Sequence, residues 1–202
     1  MILLVLFLQL LPLEEKIVYQ TFDEGKKGEI YITSRRDSLG YHIFYHSDRD
    51  IEVILDTVAL GTIYIEKFVK KKLELKIEKN GVFKVYFKGR RHKYRERGPV
   101  YDRHTLDFAL RGFSYHPDFK KIIRLHVPEF MVINADIKVL GEEFVVTPAG
   151  RFLCWKLQMK PRVFFVRLKF YFWIEKEAPH RFIKYSDSSG KHSIFLKSWE
   201  GE

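Results

Sequence analysis

Leu73-Glu74-Leu75-Lys76-Ile77-Glu78 alternates apolar and charged residues with a period of two, which is the pattern of a strand with one buried and one wet face. Asn80-Gly81 follows, a pair that tolerates positive φ and so suits the tight turn of a type I′ hairpin. The chain then runs back through Val82-Phe83-Lys84-Val85-Tyr86-Phe87, with Phe83, Val85 and Phe87 on one face. A sequence built from such units has to pair its strands with near neighbours, and the rest of the chain repeats the theme. Strand-like segments are expected at residues 16–22, 29–34, 41–46, 52–58, 62–69, 121–127, 130–139, 143–146, 151–159, 163–174, 181–186 and 192–197. Turn residues at Gly25, Gly61, Gly141, Gly150, Pro161 and Gly190 separate most of them. About a dozen strands on short turns predict an all-β fold, a large curved antiparallel sheet forming an open or closed barrel.

One segment breaks the alternation. In residues 102–113, Leu106, Ala109 and Leu110 recur at helical spacing, with Asp102 as a candidate N-cap and Gly112 as a stop. One short helix is expected there, crossing an end or a face of the sheet.

With 202 residues, 46% of them hydrophobic, the chain suits a single domain with a substantial core. Residues 13–202 are read as that domain. Residues 2–11 are apolar except for Gln9, too short a run to span a bilayer but of the length of a secretory signal core. Residues 1–12 are accordingly read as a signal segment and the protein as exported to the periplasm or cell envelope. A buried first strand is the competing reading of the same run. Cys154 is the only cysteine, so no intrachain disulfide can form, and a monomer is expected.

No P-loop, Rossmann glycine pattern, nucleophile elbow or paired-cysteine zinc motif is present. The enzyme classes that a motif can identify are thereby removed, and no catalytic residue, cofactor or metal site is assigned. His42 and His46, four apart on a strand, stand roughly 13 Å from each other, too far to share a metal. The eight histidines read as surface or hydrogen-bonded groups.

Two features point toward binding. The formal charge is +10, and Arg90, Arg91, Lys93, Arg95 and Arg97 crowd into one stretch around Tyr94. Such a run can grip phosphates, anionic lipid or an anionic envelope polymer, and is otherwise a solvated loop between the hairpin and the helix. In residues 163–174 both faces are largely apolar. Phe164, Val166, Leu168, Phe170, Phe172 and Ile174 are read as core. Phe165, Arg167, Lys169, Tyr171 and Trp173 are read as a candidate groove for an apolar, anionic ligand.

The stretch Glu143-Phe144-Val145-Val146-Thr147-Pro148-Ala149-Gly150-Arg151-Phe152 resembles the E-x-V-x-T-P-A-G-x-F signature of domain-of-unknown-function family 3108, a family of bacterial cell-envelope proteins. Val100-Tyr101-Asp102, the segment around Leu106 to Arg111, and Trp173 followed by Pro179 and Gly190 are similar to its other motifs. The resemblance covers roughly residues 95–198. It implies export and a curved antiparallel sheet similar to the open barrels of periplasmic lipoprotein carriers. The resulting expectation is a non-enzymatic envelope protein that holds a lipid-like or other amphipathic ligand in its concavity. Two alternatives are an assembly protein that binds anionic polymers or a protein partner through its basic surface, and a cytoplasmic nucleic-acid binder. Export disfavours the last.

Overall fold

In the computed structural model, which describes residues 11–127, 131–163 and 168–202, the alternating segments pair into one sheet of fifteen strands. β1 (Glu14–Asp23), β2 (Lys26–Arg36), β3 (Tyr41–His46), β4 (Arg49–Leu55), β5 (Thr62–Val69), β6 (Lys72–Asn80), β7 (Val82–Phe87) and β8 (Arg90–Tyr94) form an antiparallel meander. A short strand, β9 (Val100–Asp102), precedes the helical segment. A second meander then runs through β10 (Lys120–Val127), β11 (Met131–Thr147), β12 (Gly150–Pro161), β13 (Phe170–Glu175), β14 (Phe182–Asp187) and β15 (His192–Gly201). β15 pairs with β1 at the centre and joins the two meanders, while β8 and β9 are the outer edges. The expected curved, mainly antiparallel sheet with one short helix is the observed fold, and the sheet is open.

Chain connectivity dictates the curl. The edges of a flat fifteen-stranded sheet would stand about 65 Å apart at the usual strand spacing. Yet β8 and β9 are joined only by residues 95–99, a link that spans about 20 Å when fully extended. The two edges must therefore meet, and they do so by overlapping. Leu125 of β10 faces the interior, so its neighbour His126 faces outward; His126 is nonetheless only 1% exposed. The rings of Phe83 and Tyr94, partners across the β7–β8 ladder, cover it at centroid distances of 5.5 and 6.4 Å. Arg124, also on the outer face of β10, is gripped by Glu96 of the link. The link itself passes close to Gly61, where a Cβ would stand 2.8 Å from that of Pro99. No other residue fits there without displacing the link.

Three local expectations change. Among the described residues only Gly81 of the Asn80-Gly81 pair has positive φ (+66°), and Lys79 pairs with Phe83, so the connection is wider than a two-residue type I′ turn. Gly141 ends no strand: the register shifts there, and the bulge lets β11 run through two segments expected to be separate. The basic stretch starts as an ordered edge strand rather than a loop, because Arg90 to Tyr94 pair in register with Phe87 to Phe83.

Residues 103–112 form a turn of 3-10 helix, α1 (Leu106–Ala109), and a second 3-10 turn. The Asp102 carboxylate accepts the backbone N–H of His104 (2.9 Å), as a cap should. The segment runs inside the curl instead of across its end or face. Leu106, Phe108, Ala109 and Leu110 are all buried, which is what their helical spacing required. Arg111 then locks this plug to the wall. It is 1% exposed and donates to both oxygens of Glu15 on β1, at 2.9 and 2.7 Å. Its remaining hydrogen bonds go to the carbonyls of His180 and Pro179. Glu15 also accepts from Trp199 and Ser34.

Removing one member of a buried, fully bonded ion pair strands the other charge, at a cost of about 3–5 kcal/mol. Arg111→Ala should destabilise by about that much in urea unfolding. Arg111→Met combined with Glu15→Leu should recover most of the loss, because no bare charge then remains inside.

Candidate functional site

Above the plug the curl is not filled. A cavity of about 510 Å3 lies between the two meanders. Tyr19, Ile30, Ile32, Tyr45 and Ile51 come from the first; Leu125, Ile133, Met159, Phe170, Phe172, Phe182, Tyr185 and Ile194 come from the second. The plug supplies Leu106 and Asp107, with Arg103 and His104 beside them. These side chains project inward because they lie on the apolar parity that builds the core, and on β14 a bulge at Ile183 turns both Phe182 and Tyr185 inward. The volume is within the range of roughly 300–1,000 Å3 typical of small-molecule sites.

Meander parity orients the site. The turns after β1, β3, β5 and β7 lie at one end of the sheet, and Ser47 of the β3–β4 turn lines the cavity. Arg111, Glu15 and the 179–180 carbonyls lie at the other end, below the plug. The cavity thus faces the end that carries the β3–β4, β5–β6 and β7–β8 turns and is floored by the plug.

The floor contains one unusual group. The Tyr45 hydroxyl donates to Asp107 Oδ1 at 2.8 Å. Burial pushes the Asp107 carboxyl up to about 6, and the Tyr45 hydrogen bond, a backbone N–H and the Arg111 charge only partly offset it. The Tyr45 hydroxyl is itself held well above its usual range by burial and by Asp107. An acid in this position accepts a hydrogen bond in either protonation state, and a cation only when ionised.

A second buried cluster sits at the seam of the curl. Asp102 is fully buried and accepts from Nδ1 of His104 (2.7 Å) and Nδ1 of His126 (2.6 Å). Burial alone would raise this carboxyl, but the His104 charge and the two histidine hydrogen bonds hold it well below the usual carboxylate range. Its backbone N–H donates to Thr62, and Thr105 donates back to its carbonyl. The cluster fastens β9 to β5 and β10 and is structural in its geometry. Cys154 is buried, with its thiol pushed up to about 12 by that burial, which removes it as a nucleophile at neutral pH. Among the described residues no group of His, Cys, Asp or Glu has metal-binding geometry.

The residues singled out in the sequence fall in several places. Phe165 and Arg167 lie outside the described residues, and Lys169 is exposed just before β13. Tyr171 and Trp173 occupy the face of β13 opposite Phe170 and Phe172, and it is the latter pair that lines the cavity. Trp173 is buried there, its indole N–H bonded to Glu143 and its ring flanked by Lys156 and Lys184. The five cations of the basic stretch do not converge. Arg90 shares the inner face of Phe87, Arg91 and Lys93 share the outer face of Tyr86 and Lys84, and Arg95 and Arg97 belong to the link. Sequence reasoning missed Asp107, Tyr45 and Tyr19. The available signal was a polar group on otherwise apolar parity.

No family model matches the sequence, and no curated protein matches it. Among solved structures, the chain is similar to a β-barrel-like protein of domain-of-unknown-function family 1849 from Brucella abortus. The two are 11% identical over 96% of this chain and 99% of that one, with a TM-score of 0.60. That likeness establishes a β-barrel-like fold and nothing beyond it. A candidate exported protein with a YmcC-like fold from Bacteroides fragilis is 13% identical over 95% of this chain and 98% of its own. A candidate lipoprotein from Parabacteroides distasonis is 10% identical over 94% and 97%. Both stand at a TM-score of 0.38, too low to support any argument.

Because Asp107 is harder to ionise in the folded chain than at its ordinary value near 4, the folded state holds that proton more tightly. Its contribution is present in acid and is lost as pH rises from about 4 through 6, to a total of about 3 kcal/mol. Asp107→Asn keeps an acceptor for Tyr45 without the charge. Its stability relative to the parent chain should rise by about that amount between pH 4 and pH 7.5, measured by urea unfolding at each pH.

Proposed function

We propose that this chain is a non-enzymatic binding protein of the bacterial cell envelope that holds an apolar or amphipathic, lipid-like molecule inside its curled sheet. The observation that carries the reading is the cavity itself. A sheet that must curl could have filled its interior with its own side chains, and part of it is so filled by the plug. Above the plug about 510 Å3 is left open, with largely aliphatic and aromatic lining and polar groups confined to the plug, Ser47 and a few tyrosines. That division suits a molecule with an extended apolar body and a hydrogen-bonding group that reaches Asp107 or the Arg103–His104 side. The apolar run at residues 2–11 and the resemblance of residues 143–152 to an envelope family support export.

A neutral apolar fluorophore, N-phenyl-1-naphthylamine, tests the cavity directly. The parent chain should enhance its emission on saturable binding. Ile133→Trp and Ile30→Trp, each filling the cavity from a different wall, should weaken that binding by at least about tenfold, equivalent to about 1.4 kcal/mol. Unchanged binding in both variants, or none in the parent chain, would overturn the proposal.

A further inference from the structure

The turn between β5 and β6 is built against its own sequence. Lys70 and Lys71 both adopt positive φ, +49° and +62°, the conformation that a two-residue hairpin turn requires and that Asn-Gly would supply without strain. Sterics penalise any residue with a Cβ there, yet the chain places two lysines at the tip and a third, Lys72, directly after them. The adjacent β7–β8 turn adds Lys88, also at positive φ (+45°), and Arg90. Across residues 68–74 and 87–90 the only acid is Glu74. Its carboxylate is held by Lys67, buried on the strand below at 2.7 Å, and is reached by Lys88 at 3.8 Å, so Lys70, Lys71 and Lys72 carry the charge of the tip.

Beneath the lysines lie two apolar side chains. Phe68 and Leu73 pair across the hairpin, and each is 37% exposed. A bulge at Glu74 turns this pair to the face opposite buried Leu75, and Phe68 also pairs with Asp50 of β4, so the two form a half-exposed apolar patch on the outer face of the tip. This tip stands at the same end as the cavity. A hairpin tip with an exposed aromatic and an exposed aliphatic residue below a crown of lysines matches the two parts of a bilayer surface. The apolar pair reaches the acyl boundary, while the lysines meet anionic headgroups with their stems lying along the apolar layer. A soluble polyanion would use the charges and leave Phe68 and Leu73 without purpose.

We infer that the β5–β6 hairpin tip, with the neighbouring β7–β8 turn, docks this protein on an anionic phospholipid membrane and turns the cavity end toward it. The inference rests on the tip alone and stands or falls independently of cavity occupancy.

Co-sedimentation with vesicles of phosphatidylcholine containing phosphatidylglycerol tests it, with pure phosphatidylcholine vesicles as the reference. The parent chain should bind the anionic vesicles and be released by salt. Each lysine near such a surface contributes about fivefold in affinity, so Lys70→Asn/Lys71→Gly/Lys72→Gln should lose about 100-fold. The same variant should unfold at a higher temperature than the parent chain, because Asn-Gly relieves the backbone strain. Phe68→Ser/Leu73→Ser should also weaken docking, while Ile133→Trp should dock normally. Two results would overturn the inference: undiminished docking in the lysine variant, or undiminished docking in Phe68→Ser/Leu73→Ser, which would mark the tip as a polyanion site. Loss of docking in the lysine variant with naphthylamine binding intact separates this surface from the cavity.

Discussion

Residues 95–99 join the first edge of the sheet to the last, and the remainder of the architecture follows from that short link. Fifteen strands cannot lie flat with their edges so tethered. They curl, and the curl creates an interior. The edges do not close into a ladder, because β8 laps over the outer face of β10 instead of continuing its hydrogen bonding. Rings and charges make the seam: Phe83 and Tyr94 on His126, Glu96 on Arg124, and Asp102 between two histidines. A seam of side chains leaves β8 with an unpaired edge exposed, and an exposed edge invites pairing with another chain. Arg90, Arg91 and Lys93 on that strand oppose such pairing by charge. Part of the basic stretch thereby has a structural reason to exist that needs no anionic partner.

The interior is treated in two ways along its length. Below, the plug fills it with Leu106, Phe108 and Leu110 and is anchored by the Arg111–Glu15 pair. A buried ion pair is not an efficient source of stability, since desolvation consumes most of the attraction. It does fix position, because a bidentate guanidinium bonded also to two backbone carbonyls has a single acceptable site. Apolar side chains alone would let the plug settle at several depths. Since the plug is also the floor of the cavity and carries Asp107, its depth determines the size of the space above it.

The architecture was largely legible from residues 73–87 and their repeats, because period-two alternation responds to one buried face whichever way the sheet bends. The helix was legible for the same reason: Leu106, Ala109 and Leu110 need one apolar side. The cavity was not. Along residues 163–174 both faces are apolar, so alternation could not say which face turns inward. Phe170 and Phe172 do, while Trp173 is buried on the other side under Lys156 and Lys184. Lysine ammonium groups set over an aromatic ring on the outer face are invisible to a pattern that scores lysine as wet. Glu15 could have been noticed, since it shares the parity of Ile17 and Tyr19, whose side chains are core. A carboxylate on an apolar face calls for a partner, but the partner lies 96 residues away, and only the folded chain identifies it as Arg111.

Turn chemistry failed in an instructive way. Asn80-Gly81 carries the residues of the tightest hairpin turn, yet Asn80 stays out of the left-handed region and the connection widens. Lys70-Lys71 carries none of those residues and adopts that turn, with both φ positive. Strand register explains both. A hairpin in the middle of a sheet must keep the inward parity of its neighbours, and the turn accepts whatever geometry that register leaves. For Asn80-Gly81 the mismatch costs nothing, because Gly81 takes the one left-handed position. For Lys70-Lys71 it costs backbone strain that an Asn or a Gly would have removed without touching the core. Register therefore accounts for the conformation of that turn but not for the presence of lysine in it, and the reason for the lysines has to lie outside the fold, in whatever the exposed tip meets.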